Sequence, residues 1–530
     1  MEFQKRKFCL PYLLAGAFLT GLTLVFPQLG FLEWMSMIPI FLGVYRLCDS
    51  DKYTLAKSYW FGFLTVYTFY FVNYHWFLYL HPLDSVGIDR FSSLVLVIAG
   101  WAGLPLVQAL PGGLIFLLFK LMHRTGVFQK NSILRPIAFS CLWVIFEWSS
   151  TLHWTGVPWG RLCLGQAQYL PILQSASLFG SYFISFLLLL VNGLLTYAIL
   201  WWMSRKKALF CGAVAVLLVV INLLTGTVMM NLPSQKDASL LRVAVIQGNI
   251  NSHEKWTYER QLKTQRVYAE LTEQAVEDGA KIVIWPESVF PYSLNKRPAL
   301  CDYATSLAKQ HDVSIVFGAL YLDDDGNKYN ALYLAEPNGT ISEQMYFKRH
   351  LVPFGEYIPY KDFINTVIPP LGEFCMTMDN NLSAGEGTNL IETPYGNIGG
   401  LICFDSIYEQ LAIDSVRDGA NVLVVSSNDS WFYNSAAIYQ HKAQAQLRAI
   451  ETGRYLLRSG MTGISAVIDD HGEEIATVTP FEEDYGVADI VLHEDKTLYS
   501  ATGNIFVYLC IGLCFGVFVL GAIQRKKEML

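Results

Sequence analysis

Eight apolar runs constrain this chain more than anything else in it. They lie near residues 9–27, 30–46, 57–79, 91–119, 134–150, 172–202, 208–230 and 503–524. A helix needs about 20 apolar residues to cross the hydrocarbon of a bilayer, and most of the runs reach that length, the fifth being short. Only 16% of the residues are charged, against about 25% in soluble domains, so much of the chain is expected outside water. Aromatic residues gather at the ends of the runs, where a membrane interface places them. Lys5, Arg6 and Lys7 precede the first run, as they would in a cleaved signal peptide. No small-x-small cleavage site follows, and further apolar runs come at once, so a spanning helix is the better reading.

Charge then orients the spans. Lys and Arg gather at alternate loops: Lys5–Lys7, then Arg46, Lys52 and Lys57, then Lys120, Arg124, Lys130 and Arg135, then Arg205–Lys207, and finally Arg525–Lys527. The intervening loops 80–90 and 151–171 hold only Arg90 and Arg161. Basic loops stay on the cytoplasmic side. Both termini are therefore expected inside and residues 231–500 on the outer face. Glu147, within the fifth run, reads either as an intramembrane functional carboxylate or as a solvated or capped one. The loop from His153 to Arg161, rich in Trp, Gly and Pro, reads as a headgroup-layer segment or as a lipid contact. The net charge of −7, with no basic stripe, argues against a nucleic-acid partner. No zinc-ligand spacing or phosphate-binding glycine loop is present. Ten cysteines are scattered singly, which argues against a disulfide framework but leaves one bridge such as Cys301–Cys375 open.

Composition turns soluble near Asn231. Short apolar runs at 242–247, 281–285, 313–318, 331–334, 398–402, 421–426 and 463–468 alternate with amphipathic stretches at 257–279 and 436–456. Buried strands interleaved with helices argue an α/β domain. Three chemically capable residues sit at its strand ends. Glu287 follows Ile282-Val-Ile-Trp-Pro, Lys348 lies in Tyr346-Phe-Lys-Arg-His, and Cys403 ends Ile398-Gly-Gly-Leu-Ile. Singly they read as a solvated charge, a surface lysine and a small buried hydrophobe. Together they supply the base, oxyanion stabiliser and nucleophile of covalent acyl transfer. A cysteine on a sharp strand-to-helix turn also aims the next N–H, that of Phe404, at a developing oxyanion.

Trp285-Pro-Glu287, Lys348 and Cys403 resemble the Glu-Lys-Cys set of the nitrilase, or carbon–nitrogen hydrolase, superfamily. The chain further resembles one membrane branch of it, the apolipoprotein N-acyltransferases of bacterial inner membranes. That likeness rests on Gln247-Gly-Asn-Ile with Trp256, on Lys348-x-His-Leu-Val-Pro-Phe-Gly-Glu356, on Ser427-Asn-Asp-Ser-Trp-Phe432, on Arg448-Ala-Ile-Glu-Thr-Gly-Arg454 and on Val157-Pro-Trp-Gly160. It implies an α+β membrane protein: an eight-helix transmembrane base with an extracytoplasmic nitrilase-like αββα sandwich. Residues 1–230 would form the transmembrane domain, 231–500 the catalytic domain, and 501–530 a last helix with a cytoplasmic tail. Glu287, Lys348 and Cys403 would be catalytic, with Glu356, Phe404, Asp405, Trp256 and Trp431 supporting them or positioning substrate. The acyl donor would be a phospholipid and the acceptor the amino-terminal diacylglyceryl-cysteine of an apolipoprotein, through a Cys403 thioester, with no metal or other cofactor. Trp256, Phe354, Phe404, Trp431 and Phe432 are expected to line an apolar mouth that keeps water from the thioester. A tethered amidase with the same triad is the alternative; a transporter or receptor with a binding-only domain is a third. The family usually reads Cys-Tyr-Glu where this chain has Cys403-Phe404-Asp405, which shortens the acid by a methylene. It also tends to read Phe-Gly at Phe432-Tyr433.

Overall fold

The computed structural model describes residues 8–529 apart from 85–86, 131, 153–155, 233–239, 252–256, 361–365 and 367–380. Trp256, Cys375, the His153–Thr155 end of the Trp-rich loop and Lys5–Lys7 lie outside the described residues. The chain divides into two compact units. One holds Met1–His81, Leu94–Leu232 and Thr502–Leu530, the other Pro82–Ser93 and Pro233–Ala501.

The first unit is helical, and every expected apolar run falls on helix. Among the described residues, five helical segments are long and apolar enough to cross a membrane: Pro27–Asp49, Arg90–Arg124, Ser181–Leu200, Arg205–Met230 and Ile505–Lys527. The first and fifth runs form shorter helices, Leu10–Val25 and Leu134–Ser149. The third is helical from Leu55 to Asn73 and continues as a 3-10 turn to Leu80. The sixth run, read as one span from 172, is instead broken. Gly180 takes φ +78°, a conformation open to glycine because it has no Cβ. The continuous helix starts only at Ser181, after the short turns Leu170–Leu173 and Ala176–Phe179. Glu147 is not solvated: it is 1% exposed and accepts hydrogen bonds from Trp143 Nε1 (3.1 Å) and Leu162 N (3.0 Å). In the Trp-rich loop, Pro158–Gly160 is a buried 3-10 turn, and the Trp159 ring packs 5.2 Å from that of Trp76.

The second unit is a two-sheet sandwich. Its strands are β1 (Leu240–Gln247), β2 (Ile282–Ile284), β3 (Phe290–Ser293), β4 (Ser314–Leu322), β5 (Lys328–Ala335), β6 (Tyr346–Phe347), β7 (Ile391–Thr393), β8 (Gly396–Ile402), β9 (Val422–Ser427), β10 (Leu456–Gly460), β11 (Ser465–Ile468), β12 (Glu474–Val478) and β13 (Asp484–Val491). One sheet runs β13-β1-β2-β4-β5-β6, with β3 beside β4; the other runs β12-β11-β10-β9-β8-β7. The central neighbours β1, β2 and β4, and likewise β8, β9 and β10, are parallel. Parallel strands are covered on both faces and so read as unbroken apolar runs. Side chains alternate sides along each strand. Val243, Val245, Ile282, Ile284, Ile402 and Val424 fill the space between the sheets. Ala244, Ile246, Val283 and Trp285 face the other way, into helices α1 (Tyr258–Glu277) and α2 (Pro298–His311). Helices α3 (Glu409–Arg417) and α4 (Ala436–Thr452) follow the turn after β8 and strand β9.

Candidate active site

In an α/β sheet, reactive groups gather where parallel strands end, because the chain must turn there and side chains escape the pleat. Glu287 leaves the end of β2, held by Trp285 N donating to Val316 O (2.8 Å) and by Ser426 Oγ donating to Trp285 O (3.2 Å). Ser288 then takes φ +52°. Cys403 ends β8 with φ +50°, and a 3-10 turn runs on to Ile407. A left-handed conformation in a non-glycine residue costs about 1–2 kcal/mol and is characteristic of functional turns. Lys348 just follows β6. The register sets Ala331 opposite Phe347, so Lys348 N donates to Asn330 O (2.9 Å).

Those placements bring Glu287, Lys348 and Glu356 together. Lys348 Nζ donates to Glu287 Oε1 (3.3 Å) and Glu356 Oε1 (2.8 Å). Asn330 Nδ2 also donates to Glu287 Oε1 (2.7 Å), and Asn428 N donates to Oε2 (2.9 Å). Glu356 Oε2 accepts from Val352 N (2.8 Å). Lys348 is 1% exposed and Glu287 5%. Burial pushes the Lys348 ammonium down, yet the two carboxylates outweigh it and hold its pKa well above the usual lysine value. The lysine is thus a permanent cation. Burial, followed by the field of Glu287, pushes the Cys403 thiol up, while Lys348 opposes that rise. At neutral pH Cys403 is therefore a thiol.

The substituted acid at the elbow reaches its partners. Asp405 Oδ2 accepts from Tyr346 OH (2.9 Å) and Ile402 N (3.1 Å), and Oδ1 accepts from His350 N (2.7 Å). Burial lifts its carboxyl to about 6. Asp405 so ties the elbow to the segment that carries Lys348. Phe404 is buried, its ring edge-on to Tyr408 at 5.5 Å. Of the other aromatics expected around the site, Phe354 is half exposed with φ +63°, and Trp431 and Phe432 are half-buried.

Five residues carry contacts that the sequence does not assign: Asn330, Asp429, His441, Arg458 and Arg448. Asn330 precedes a recognised apolar run but lies across from Lys348. Asp429 sits inside a quoted motif, but nothing there marked it out. Its carboxylate accepts from Ser427 Oγ (2.8 Å) and faces His441 Nδ1 (2.9 Å) and the Arg458 guanidinium. All three of Asp429, His441 and Arg458 are fully buried. Arg448, quoted for its motif alone, pairs with Glu451 and donates from Nη1 to the carbonyls of Ser406 and Ile407 (3.4 Å each). Among the described residues, no group of His, Cys, Asp and Glu has the arrangement of a metal site.

A strand-end carboxylate, a buried ammonium and an elbow cysteine in an αββα sandwich are the features of the carbon–nitrogen hydrolase class, whose family model matches residues 242–496. A second model, the apolipoprotein N-acyltransferase N-terminal domain, matches residues 16–194. An apolipoprotein N-acyltransferase of Geobacter metallireducens is 30% identical, over 98% of this chain and 96% of the relative. One from Gloeobacter violaceus is also 30% identical, over 99% and 96%. The chain belongs to the apolipoprotein N-acyltransferase family of membrane acyltransferases. Similar solved structures include Saccharomyces cerevisiae Nit3, a member of branch 10 of the nitrilase superfamily, 21% identical over 51% of this chain and 97% of that one, with a TM-score of 0.38.

Proposed function

We propose that Glu287, Lys348 and Cys403 transfer an acyl chain from a phospholipid to the α-amine of an apolipoprotein's amino-terminal diacylglyceryl-cysteine. Glu287 takes the Cys403 proton as the sulfur attacks the ester carbonyl. The carbonyl π pair moves to oxygen, where Lys348 and the Phe404 N–H stabilise it. Collapse breaks the C–O bond, and Glu287 returns the proton to the leaving alkoxide, releasing lysophospholipid and leaving a thioester. The acceptor amine then adds to the thioester and loses a proton to Glu287. The C–S bond breaks, giving the amide and the free thiol. Glu356 holds Lys348 in place for both halves. A thioester already stores the acyl group's reactivity, so no further cofactor enters the scheme. The observation that carries this reading is the Glu287–Lys348 contact of 3.3 Å in the field of a positive-φ cysteine. The name borne by the two full-length relatives supports the acceptor.

Purified protein is incubated with acyl-labelled phospholipid. Hydroxylamine-sensitive label is expected on Cys403, lost in Cys403→Ala, and slowed by about 10²–10³ in Lys348→Ala, the usual cost of one oxyanion donor. Adding a diacylated lipopeptide should discharge the label into an amide. Rapid loss of label to water, with no acceleration by lipopeptide, would instead make the protein a tethered hydrolase.

A further inference from the structure

The nucleophile's own carbonyl is gripped from behind by a buried chain of charged groups that the scheme above does not use. Cys403 O accepts from His441 Nε2 (3.0 Å) and from Ser406 Oγ (2.8 Å). The other ring nitrogen of His441 faces Asp429 Oδ1 at 2.9 Å. A carbonyl oxygen only accepts, so Nε2 is the donor to Cys403 O, while Arg458 also approaches Nδ1 at 3.3 Å. Asp429 in turn is clamped by Arg458 and by Ser427 Oγ. Burial would raise the Asp429 carboxyl, but Arg458 and His441 outweigh it and hold it well below the usual carboxylate range. The fit is close: a Cβ on Gly463 would fall 2.4 Å from Asp429 Oδ2. Four elements contribute, namely the elbow after β8, the turn after β9, helix α4 and strand β10.

We infer that His441, braced by Asp429 and Arg458, is a positioning residue that aims the Phe404 N–H at the oxyanion. The reason is the planarity of the peptide bond. Cys403 C=O and Phe404 N–H belong to one trans peptide unit, so they point in opposite directions from one rigid plane. Two donors holding the carbonyl oxygen on one side fix where the N–H points on the other. They also polarise the amide, which strengthens its N–H as a donor. The same grip holds Cys403 at φ +50°, a conformation its own backbone does not favour. Ionised Asp429 is compatible with this task because the Arg458 guanidinium pairs with it, so its charge is not left uncompensated in the interior. Arg448, reaching the Ser406 and Ile407 carbonyls, holds the rest of the turn.

The inference rests on Phe404 N–H being an oxyanion donor, and two reactions of Cys403 separate it from mere support of the fold. Acylation by a p-nitrophenyl ester passes through an oxyanion and releases a burst of p-nitrophenolate. Alkylation by iodoacetamide needs only an accessible thiolate. With the full chain in detergent, His441→Leu should slow the burst by about 10²–10³, the cost of a lost oxyanion donor. Its alkylation rate at the same pH should stay within about threefold, since thiolate access is unchanged. His441→Gln keeps a donor for the carbonyl and should recover the burst to within about tenfold. Ser406→Ala, a milder change, should slow the burst by about fivefold, the equivalent of one ordinary hydrogen bond. A full-rate burst in His441→Leu overturns the inference. So does a parallel fall of burst and alkylation in both His441→Leu and Ser406→Ala, which would make the chain a support of the elbow alone. An unsubstituted protein that alkylates but gives no burst would overturn the covalent reading first, and this one with it.

Discussion

Cys403, Lys348 and Asp405 show how single residues are tuned by what surrounds them. Asp405 keeps its negative charge at neutral pH through the nearby Lys348 ammonium and the three donors around it. Its folded pKa, about 6, lies above the unfolded value, so the fold favours the protonated form. Its contribution to stability is therefore full below about pH 4 and lost as pH rises through 6. Asp405→Asn removes that titration and leaves at least the His350 or the Ile402 N–H facing an amide NH₂. Denaturant unfolding should show a loss of about 1–3 kcal/mol at pH 7, the cost of one unmet buried donor. The deficit should widen by about 1 kcal/mol at pH 5, where the parent has gained the protonated carboxyl. An equal deficit at both pH values would mean that Asp405 does not titrate in this range. Lys348 has the opposite consequence for function: with its pKa raised, acidification does not switch it, and it loses charge only well into the alkaline range.

At the scale of elements, the site depends on how closely strand ends approach one another. A Cβ at Gly318 in β4 would lie 2.6 Å from Ser288 N and 2.7 Å from Glu287 Cα. Those are backbone atoms that cannot swing aside. Gly318→Ala should push the Glu287 turn off β4, costing about 1–3 kcal/mol of stability as overpacking does. The larger effect should be on acyl-enzyme formation, measured by the phospholipid labelling described above, since Glu287 would lose its register with Lys348. Wild-type labelling rates in this variant would show that the turn tolerates displacement. Element boundaries also mark what local pattern could convey. Strands β1, β2, β4 and β9 are buried on both faces and were legible as apolar runs. Strand β10 was missed because Arg458 and Ser459 interrupt Leu456-Leu with buried polar side chains, whose partners lie elsewhere in the chain. Helix α4, expected to reach residue 456, stops at Thr452 because Gly453 turns left-handed at φ +62°. Strand β12 alternates in burial and sits at a sheet edge, so no apolar run marks it.

For the whole molecule, composition and charge carry the prediction. The alternating basic loops imply that residues 231–500 face outward and the 120–135 loop faces the cytoplasm. In a chain cleared of reactive surface cysteines, Asp325→Cys should react with a membrane-impermeant maleimide in intact spheroplasts. Gln129→Cys should react only after lysis. Labelling in the reverse sense would invert the topology and remove the hydrolase unit from the side on which the lipoprotein acceptor is expected.

The sequence alone determined that this is a membrane protein with a soluble α/β unit. Membrane insertion depends on the length and apolarity of each run, and a doubly buried strand on a short apolar run, both of which are local quantities. It also singled out Glu287, Lys348 and Cys403, because residue type at a strand end is local too. What only the tertiary structure decided is which groups meet. Asn330 reaches Glu287 through the β2–β4 and β4–β5 registers, and Cys403 lies beside Ser427 through the pairing of Ile402 with Ser426. His441, Asp429 and Arg458 converge behind Cys403 from a helix, a turn and a strand. Such meetings follow from register and sheet packing across many intervening residues, and no spacing along the chain encodes them.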